Sequence, residues 1–266
     1  MSADLDYLAH LAHDSDRFAD VLLEADPMQP VPSCPDWTTV DLFWHLTEVQ
    51  WFWGSVVRER VDDPSALQTP RPERPSDLGS LGHLYATVSA ALEDTLSALP
   101  PETPVWTWAD DKTVGFVRRR QAHEALIHRV DAELATGKVT DIDPALATDG
   151  IDEVLRIMYG DVPDWAAFDR DGATVRIETS DTGAAWTVAL GRFTGTDPDD
   201  GQPYDETGLV VDAGSGSAGA PSALVRGTAA DLDCWLWNRL AADRVDRSGD
   251  EEVLARLQSV LDRGVD

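Results

Sequence analysis

Glu124 and His128 stand four residues apart in RRRQAHEALIHRVDAELA, residues 118–135, a run with helical character. Four residues make about one helical turn, so both side chains leave the same face. A carboxylate and an imidazole so placed can bind a first-row metal ion as a pair. A catalytic site needs a third ligand, and the best-placed one is His45, in VDLFWHLTEVQWFW. A His/Glu/His set suits Zn²⁺ and leaves a fourth position for water or substrate. Other divalent first-row ions, nickel among them, accept the same ligands.

The surroundings of the trio leave two arrangements open. Val117, Gln121, Glu124, His128 and Asp131 form a stripe at three-to-four spacing that is polar at its centre. Facing solvent, it would carry no function. Facing a bundle interior, its polar groups would need partners, and a metal would satisfy them. His45 shares a stripe with Leu42, Leu46, Val49, Trp53 and Val56, which predicts a histidine set among core residues. A hydrogen-bonded core histidine is the plainer reading of His45 alone; the facing Glu/His pair favours a ligand.

Other groups compete for these roles. Glu48 is a further ligand or a surface acid. Asp131 either orients His128 from behind or is a surface acid. His123 and His128, five apart, lie about 140° apart around a helix and cannot readily share one ion. His10, His13 and His83 have no partners at useful spacing. Cys34, between Pro32 and Pro35, has no histidine paired with it in sequence to make it a nucleophile. The ten tryptophans read mostly as core or pocket wall.

Four helices must position the trio. Leu5, Leu8, Leu11, Phe18 and Leu22 recur at helical spacing over residues 4–24. Prolines 27, 30, 32 and 35 then break the chain. Thr38-x-x-Asp41 resembles a capping box opening a second helix to about Arg60. A proline-rich loop covers 64–75. Ser76-Asp77 starts a third helix, which Pro100-Pro101 ends. Trp106 and Trp108 lie on a connector, and the fourth helix runs over 114–136 with Gly137 as its cap. Four helices of roughly 20 residues with shortish links predict a four-helix bundle. From about residue 142 the pattern becomes mixed. It reads as a helix over 151–158, strands over 173–179, 185–190 and 208–212, a Gly/Ser/Ala loop over 214–220, and helices over 228–243 and 250–263. The expected class is α+β with two domains, a helical bundle over 1–141 and a smaller α+β domain over 142–266.

Composition excludes several partners. The net charge is −28, from 49 acids against 21 bases. Phosphate binding needs clustered Lys and Arg, so no nucleic acid is expected. No apolar run is long enough to span a membrane, and the acidic start does not resemble a secretory leader. The two cysteines form no CxxC and fit a reducing cytoplasm. A monomer is expected.

Three segments carry a family resemblance. VPSCPDWTTVDLFWHL, RRRQAHEALIHRVDAELATG and VRGTAADLDCWLWNRL resemble, in order, segments of the mycothiol-dependent maleylpyruvate isomerase family, whose first domain is a DinB-like metal-binding bundle. The resemblance implies that bundle followed by a small α+β domain. It implies a divalent metal, usually zinc, on His45, Glu124 and His128. It also implies mycothiol, the low-molecular-weight thiol of actinobacteria, as cosubstrate. In the family's isomerase a C-terminal arginine contributes to the site. The match places that role on Arg239, with Arg226 as the alternative and a surface arginine as the plain reading of either.

The implied chemistry is addition of a metal-activated thiolate to a small electrophile, with rotation and elimination giving the isomer. An arginine could hold the substrate carboxylate. The sequence thus reads as a metal- and mycothiol-dependent isomerase or transferase. Two other classes remain: a DinB-like metal-binding protein without turnover, and a hydrolase in which the metal activates water. Dependence on added thiol separates the first from both.

Overall fold

The computed structural model describes residues 5–198, 201–212 and 220–264. It divides into two compact units, Met1–Thr140 and Asp141–Asp266.

The first unit is a four-helix bundle with a hairpin inserted after its first helix. Helix α1 (Tyr7–Glu24) leads to two short antiparallel strands, β1 (Pro30–Val31) and β2 (Cys34–Thr38). Helices α2 (Thr39–Glu59), α3 (Leu78–Ser97) and α4 (Val114–Thr136) follow. The sequence punctuates each one. Side-chain oxygens of Asp6, Asp77 and Thr113 accept from the backbone N–H three residues on, which satisfies otherwise orphaned helix donors. Thr38 N–H donates to the Asp41 carboxylate at 2.9 Å, so the anticipated box caps α2. Gly137 closes α4 at φ 70°, a left-handed conformation that glycine adopts without strain.

Helix α1 packs on α4 and α2 on α3. Phe18, Leu22, Leu42, Phe43, Leu46, Leu81 and Tyr85 form the apolar centre. Helix α4 is the unusual member, because its buried residues include Arg120, Gln121, His123, His128, Arg129, Asp131 and Glu133. The polar stripe predicted from sequence therefore faces inward. Ion pairs make this tolerable on the α1 side. Arg129 Nε lies 2.9 Å from Asp14 Oδ1 and its Nη1 3.3 Å from Glu133, all three nearly fully buried. Arg17 reaches Glu133 at 2.8 Å. Burial pushes the Asp14 carboxyl above its ordinary pKa, and the charge of Arg129 pulls it back.

The second unit is α+β. Helix α5 (Pro144–Glu153) runs into a π-helical turn at Val154–Met158. Strands β3 (Ala166–Thr179), β4 (Ala185–Thr196), β5 (Pro203–Val211), β6 (Ala223–Gly227) and β7 (Asp246–Gly249) form one sheet in the order β5-β4-β3-β6-β7. Only β3 and β6 pair in parallel. Helix α6 (Ala229–Leu236) packs on α5. The approach is close: a Cβ on Gly150 would meet the Asp233 carboxylate at 2.8 Å. Helix α7 (Glu251–Leu261) lays Val253, Leu257, Val260 and Leu261 on the sheet side.

Several expectations need correction. The helix read over 228–243 ends at Leu236, because Asn238 turns into the left-handed region at φ 60°. The helix read over 151–158 starts seven residues earlier, at Pro144, and finishes as the π turn. Strands β1, β2, β6 and β7 were not anticipated. Of the loop read over 214–220, all but Ala220 lies outside the described residues.

The ion network on α4 makes a measurable demand. Arg129→Met leaves Asp14 and Glu133 buried without their shared counter-charge, so urea unfolding should show a loss of roughly 3–5 kcal/mol. A change below about 1 kcal/mol would mean that the network is relaxed or hydrated in solution.

Candidate metal centre

The trio is assembled from two helices. Glu124 and His128 project from one face of α4, and His45 from the facing side of α2. His128 Nε2 lies 3.2 Å from Glu124 Oε1, and His45 Nε2 lies 3.7 Å from the same oxygen. One donor atom from each residue falls within 4.8 Å of the others. Bonds of about 2.0–2.1 Å to zinc put neighbouring tetrahedral ligands roughly 3.3 Å apart. The three donors are spaced for a common ion with only small adjustments, and two imidazole nitrogens with one carboxylate oxygen are ordinary donors for it.

His45 departs from the expectation of a core position. Its side chain is 34% exposed, whereas Phe43, Leu46, Gln50 and Trp53 carry the buried face of α2. The trio therefore grades from the buried His128, through a Glu124 21% exposed, to an open His45. This gradient leaves the His45 side accessible to a small molecule.

The groups behind the trio are fixed. Asp131 is fully buried, and its Oδ2 lies 2.9 Å from His128 Nδ1. Ser33, in the β1–β2 turn, donates to Asp131 Oδ1 at 2.5 Å. An Nδ1–H held by Asp131 turns Nε2 of His128 toward Glu124 and His45. Asp131 thus sits behind His128, one of the two positions open to it from sequence. The Trp37 ring, from β2, lies 4.6 Å from the His45 ring and 6.4 Å from that of His128. Arg120 Nη2 contacts the second oxygen of Glu124 at 3.1 Å.

These contacts bias the protonation of Glu124 and His128. Burial alone would raise the Glu124 pKa. Hydrogen bonds from His128 and His45 and the charge of Arg120 outweigh it, holding the carboxylate well below its usual range. Burial alone would lower the His128 pKa, but Asp131 and Glu124 raise it to about 9. Its two carboxylate neighbours thus favour the protonated form of His128, whose Nε2 points where a metal would bind.

The remaining candidates lie elsewhere. Glu48 pairs with Arg71. His123 is buried with its ring 6.3 Å from Tyr7, on the side of α4 turned toward α1. Cys34 forms no disulfide, and its Sγ lies 3.9 Å from Asp131 Oδ2. Arg239 belongs to the second unit, where it follows α6 and donates from Nη1 to the Trp237 carbonyl at 2.6 Å. Arg226 is largely exposed beside Glu178, 3.8 Å away. The sequence reading gave no role to Ser33, Trp37 or Arg120. Trp37 and Ser33 stood in view in VPSCPDW, but the hairpin that aims them is hidden among prolines. Arg120 was visible only as part of a basic cluster. No described helix is long and apolar enough to cross a membrane.

Comparison with known proteins agrees with this architecture. The sequence matches the family model for the mycothiol maleylpyruvate isomerase N-terminal domain over residues 8–133, and the MDMPI C-terminal domain over residues 145–256. Two solved structures resemble the fold: the crystal structure of the mycothiol-dependent maleylpyruvate isomerase and that of a histidine-to-alanine mutant of it. Each is 14% identical, with a TM-score of 0.57, and the alignment covers 92% of this chain and 93% of the other. No curated protein matches the sequence. Both family matches fall on the two units just described, and together they place this chain in the mycothiol maleylpyruvate isomerase family.

Proposed function

We propose that this chain is a divalent-metal- and mycothiol-dependent isomerase or transferase acting on a small electrophile. The observation that carries the reading is the convergence of His45 Nε2, Glu124 Oε1 and His128 Nε2 beside an accessible side of the bundle. These residues would hold the metal, with zinc the best match to the donors and nickel the alternative. Bound there, such an ion would lower the pKa of a coordinated thiol from its ordinary value of about 8.5 and so supply a thiolate at neutral pH.

The protein's own groups account for the rest. Asp131 keeps the proton of His128 on Nδ1, and Ser33 keeps Asp131 in place. Arg120 offsets the charge of Glu124. The Trp37 ring packs against the His45 ring and helps fix its orientation. A protein that supplies ligands and takes its sulfur from a cosubstrate suits a chain whose Cys34 lies against Asp131 rather than among the three donors. For Arg239, a role in holding a substrate carboxylate rests on the sequence match alone.

Elemental analysis tests the ligand set. Wild type should carry about one equivalent of zinc or nickel, and His45→Ala and Glu124→Ala should each lose it. Asp131→Asn should retain the fold and weaken metal affinity by about 10–100-fold. Isomerisation of maleylpyruvate, or consumption of another electrophile, should then require both metal and added thiol. A wild type that takes up no metal after incubation with zinc would remove the basis of the reading.

The proton on His128 gives a second test, made on metal-free protein. Its folded pKa of about 9 lies above the ordinary 6.5. The associated stability is complete below pH 6.5 and lost as pH rises through 9, with an upper size of roughly 3 kcal/mol. Urea unfolding should show that decline. Asp131→Asn should flatten it, and zinc binding near pH 7.5 should release a proton detectable by calorimetry in buffers of different ionisation enthalpy. A flat wild-type profile would mean that His128 is neutral in the metal-free protein.

A further inference from the structure

Arg118-Arg119-Arg120 is the dense basic cluster of an acidic chain, and two of its members do different work on α4. Arg118 donates to the carbonyls of Leu96 and Leu99 at the end of α3, at 2.8 and 2.7 Å. Arg120 turns inward to Glu124, with its side chain only 3% exposed. Charged pairs four apart on a helix usually lie in solvent and contribute little. A guanidinium is buried where its planar fork has a carboxylate to hold.

The helix divides the Glu124 carboxylate between two neighbours. His128 lies one turn after Glu124 and Arg120 one turn before it, on the same face. Oε1 faces the imidazoles, 3.2 Å from His128 Nε2 and 3.7 Å from His45 Nε2. Oε2 accepts from Arg120 Nη2 at 3.1 Å. One oxygen is therefore aimed at the ion position while a buried cation engages the other. Turning Oε2 toward the ion as well would give up a charge-assisted hydrogen bond.

We infer that Arg120 is a positioning residue that holds Glu124 to binding the metal through Oε1 alone. This rests on the metal and thiol reading above and extends it to the positions left for reactants. An imidazole offers an ion a single nitrogen, so Glu124 is the one ligand of the trio whose donor count can vary. With Oε1 alone bound, the trio fills three positions of a tetrahedral ion and the thiol takes the fourth. Zinc can expand to a fifth ligand during reaction, which leaves a position for an oxygen of the electrophile. A chelating Glu124 would occupy that position. Arg120 thus keeps the ion open to both reactants without touching either.

The test uses cobalt(II)-substituted protein saturated with 2-mercaptoethanol, whose sulfur-to-metal charge-transfer absorption reports that the thiol is bound. Four-coordinate cobalt(II) absorbs far more strongly in the visible than the five-coordinate ion, so band intensity reads the ligand count. Wild type should give the intense bands. Arg120→Met, which keeps much of the side chain's length and removes its donors, should still bind cobalt and lose most of that intensity as Glu124 chelates. Arg120→Lys keeps a donor within reach of Oε2 and should recover it. Lost packing alone would lower the unfolding midpoint of Arg120→Met and leave its bands intense. Unchanged intensity in folded Arg120→Met therefore overturns the assignment of Arg120 and leaves the metal site standing. If that variant does not fold, zinc-edge X-ray absorption of wild type decides, because a chelating carboxylate brings its carbon closer to the ion; a chelate overturns the assignment. Failure of wild type to bind cobalt overturns the metal reading, and this assignment with it.

Discussion

The pairing of Arg129 with Asp14 and Glu133 is the condition on which the first unit rests. A helix that places so many polar side chains inside a bundle is unfavourable unless their charges are matched where they are buried. The network does this along the edge of α4 that faces α1. The adjacent stripe is then free to carry Gln121, Glu124, His128 and Asp131 without the helix leaving the core. Function and packing divide the same helix by angle. One arc is neutralised internally, and the other keeps groups whose partners come from a hairpin and a second helix.

Much of this was legible in the sequence, for a physical reason. Spacing at i, i+4 reports a shared helix face wherever the helix forms, so Glu124 and His128 were readable together. Caps are local, so Thr38, Asp41 and Gly137 marked their boundaries correctly. Where the reading failed, the deciding contact was distant or the local signal was split. In the stripe containing His45, Leu42, Leu46, Trp53 and Val56 are buried as read, but α2 buries residues on more than one side, and His45 itself stays about a third exposed at 34%. Strands β1 and β2 are too short to show alternation, and prolines disguise them. The end of α6 depends on one asparagine in a left-handed conformation, which no periodicity reveals. Strand β6 forms on the edge of β3, and β7 on the edge of β6, information that is absent from their own four or five residues.

The second unit follows a different logic. Its sheet is antiparallel except where β6 joins β3, and α7 buries an apolar stripe in the ordinary way, while α5 and α6 also bury Glu153 and Asp233. Its helices α5 and α6 approach closely at Gly150 against Asp233. The family models match both units, so the succession of these two domains belongs to the family and not to this chain alone.

The β1–β2 hairpin has a bearing on how such proteins can diversify. Nine residues, 30–38, deliver Ser33 to the carboxylate behind one imidazole and Trp37 to the face of another. Lengthening that turn by a single residue would turn one of the two contacts away, since neighbouring strand residues point to opposite faces. The proline-rich crossover between α2 and α3 carries no such double duty toward the trio. Insertions are therefore expected to be tolerated there without moving the trio, while the hairpin keeps its length and changes only by side-chain replacement.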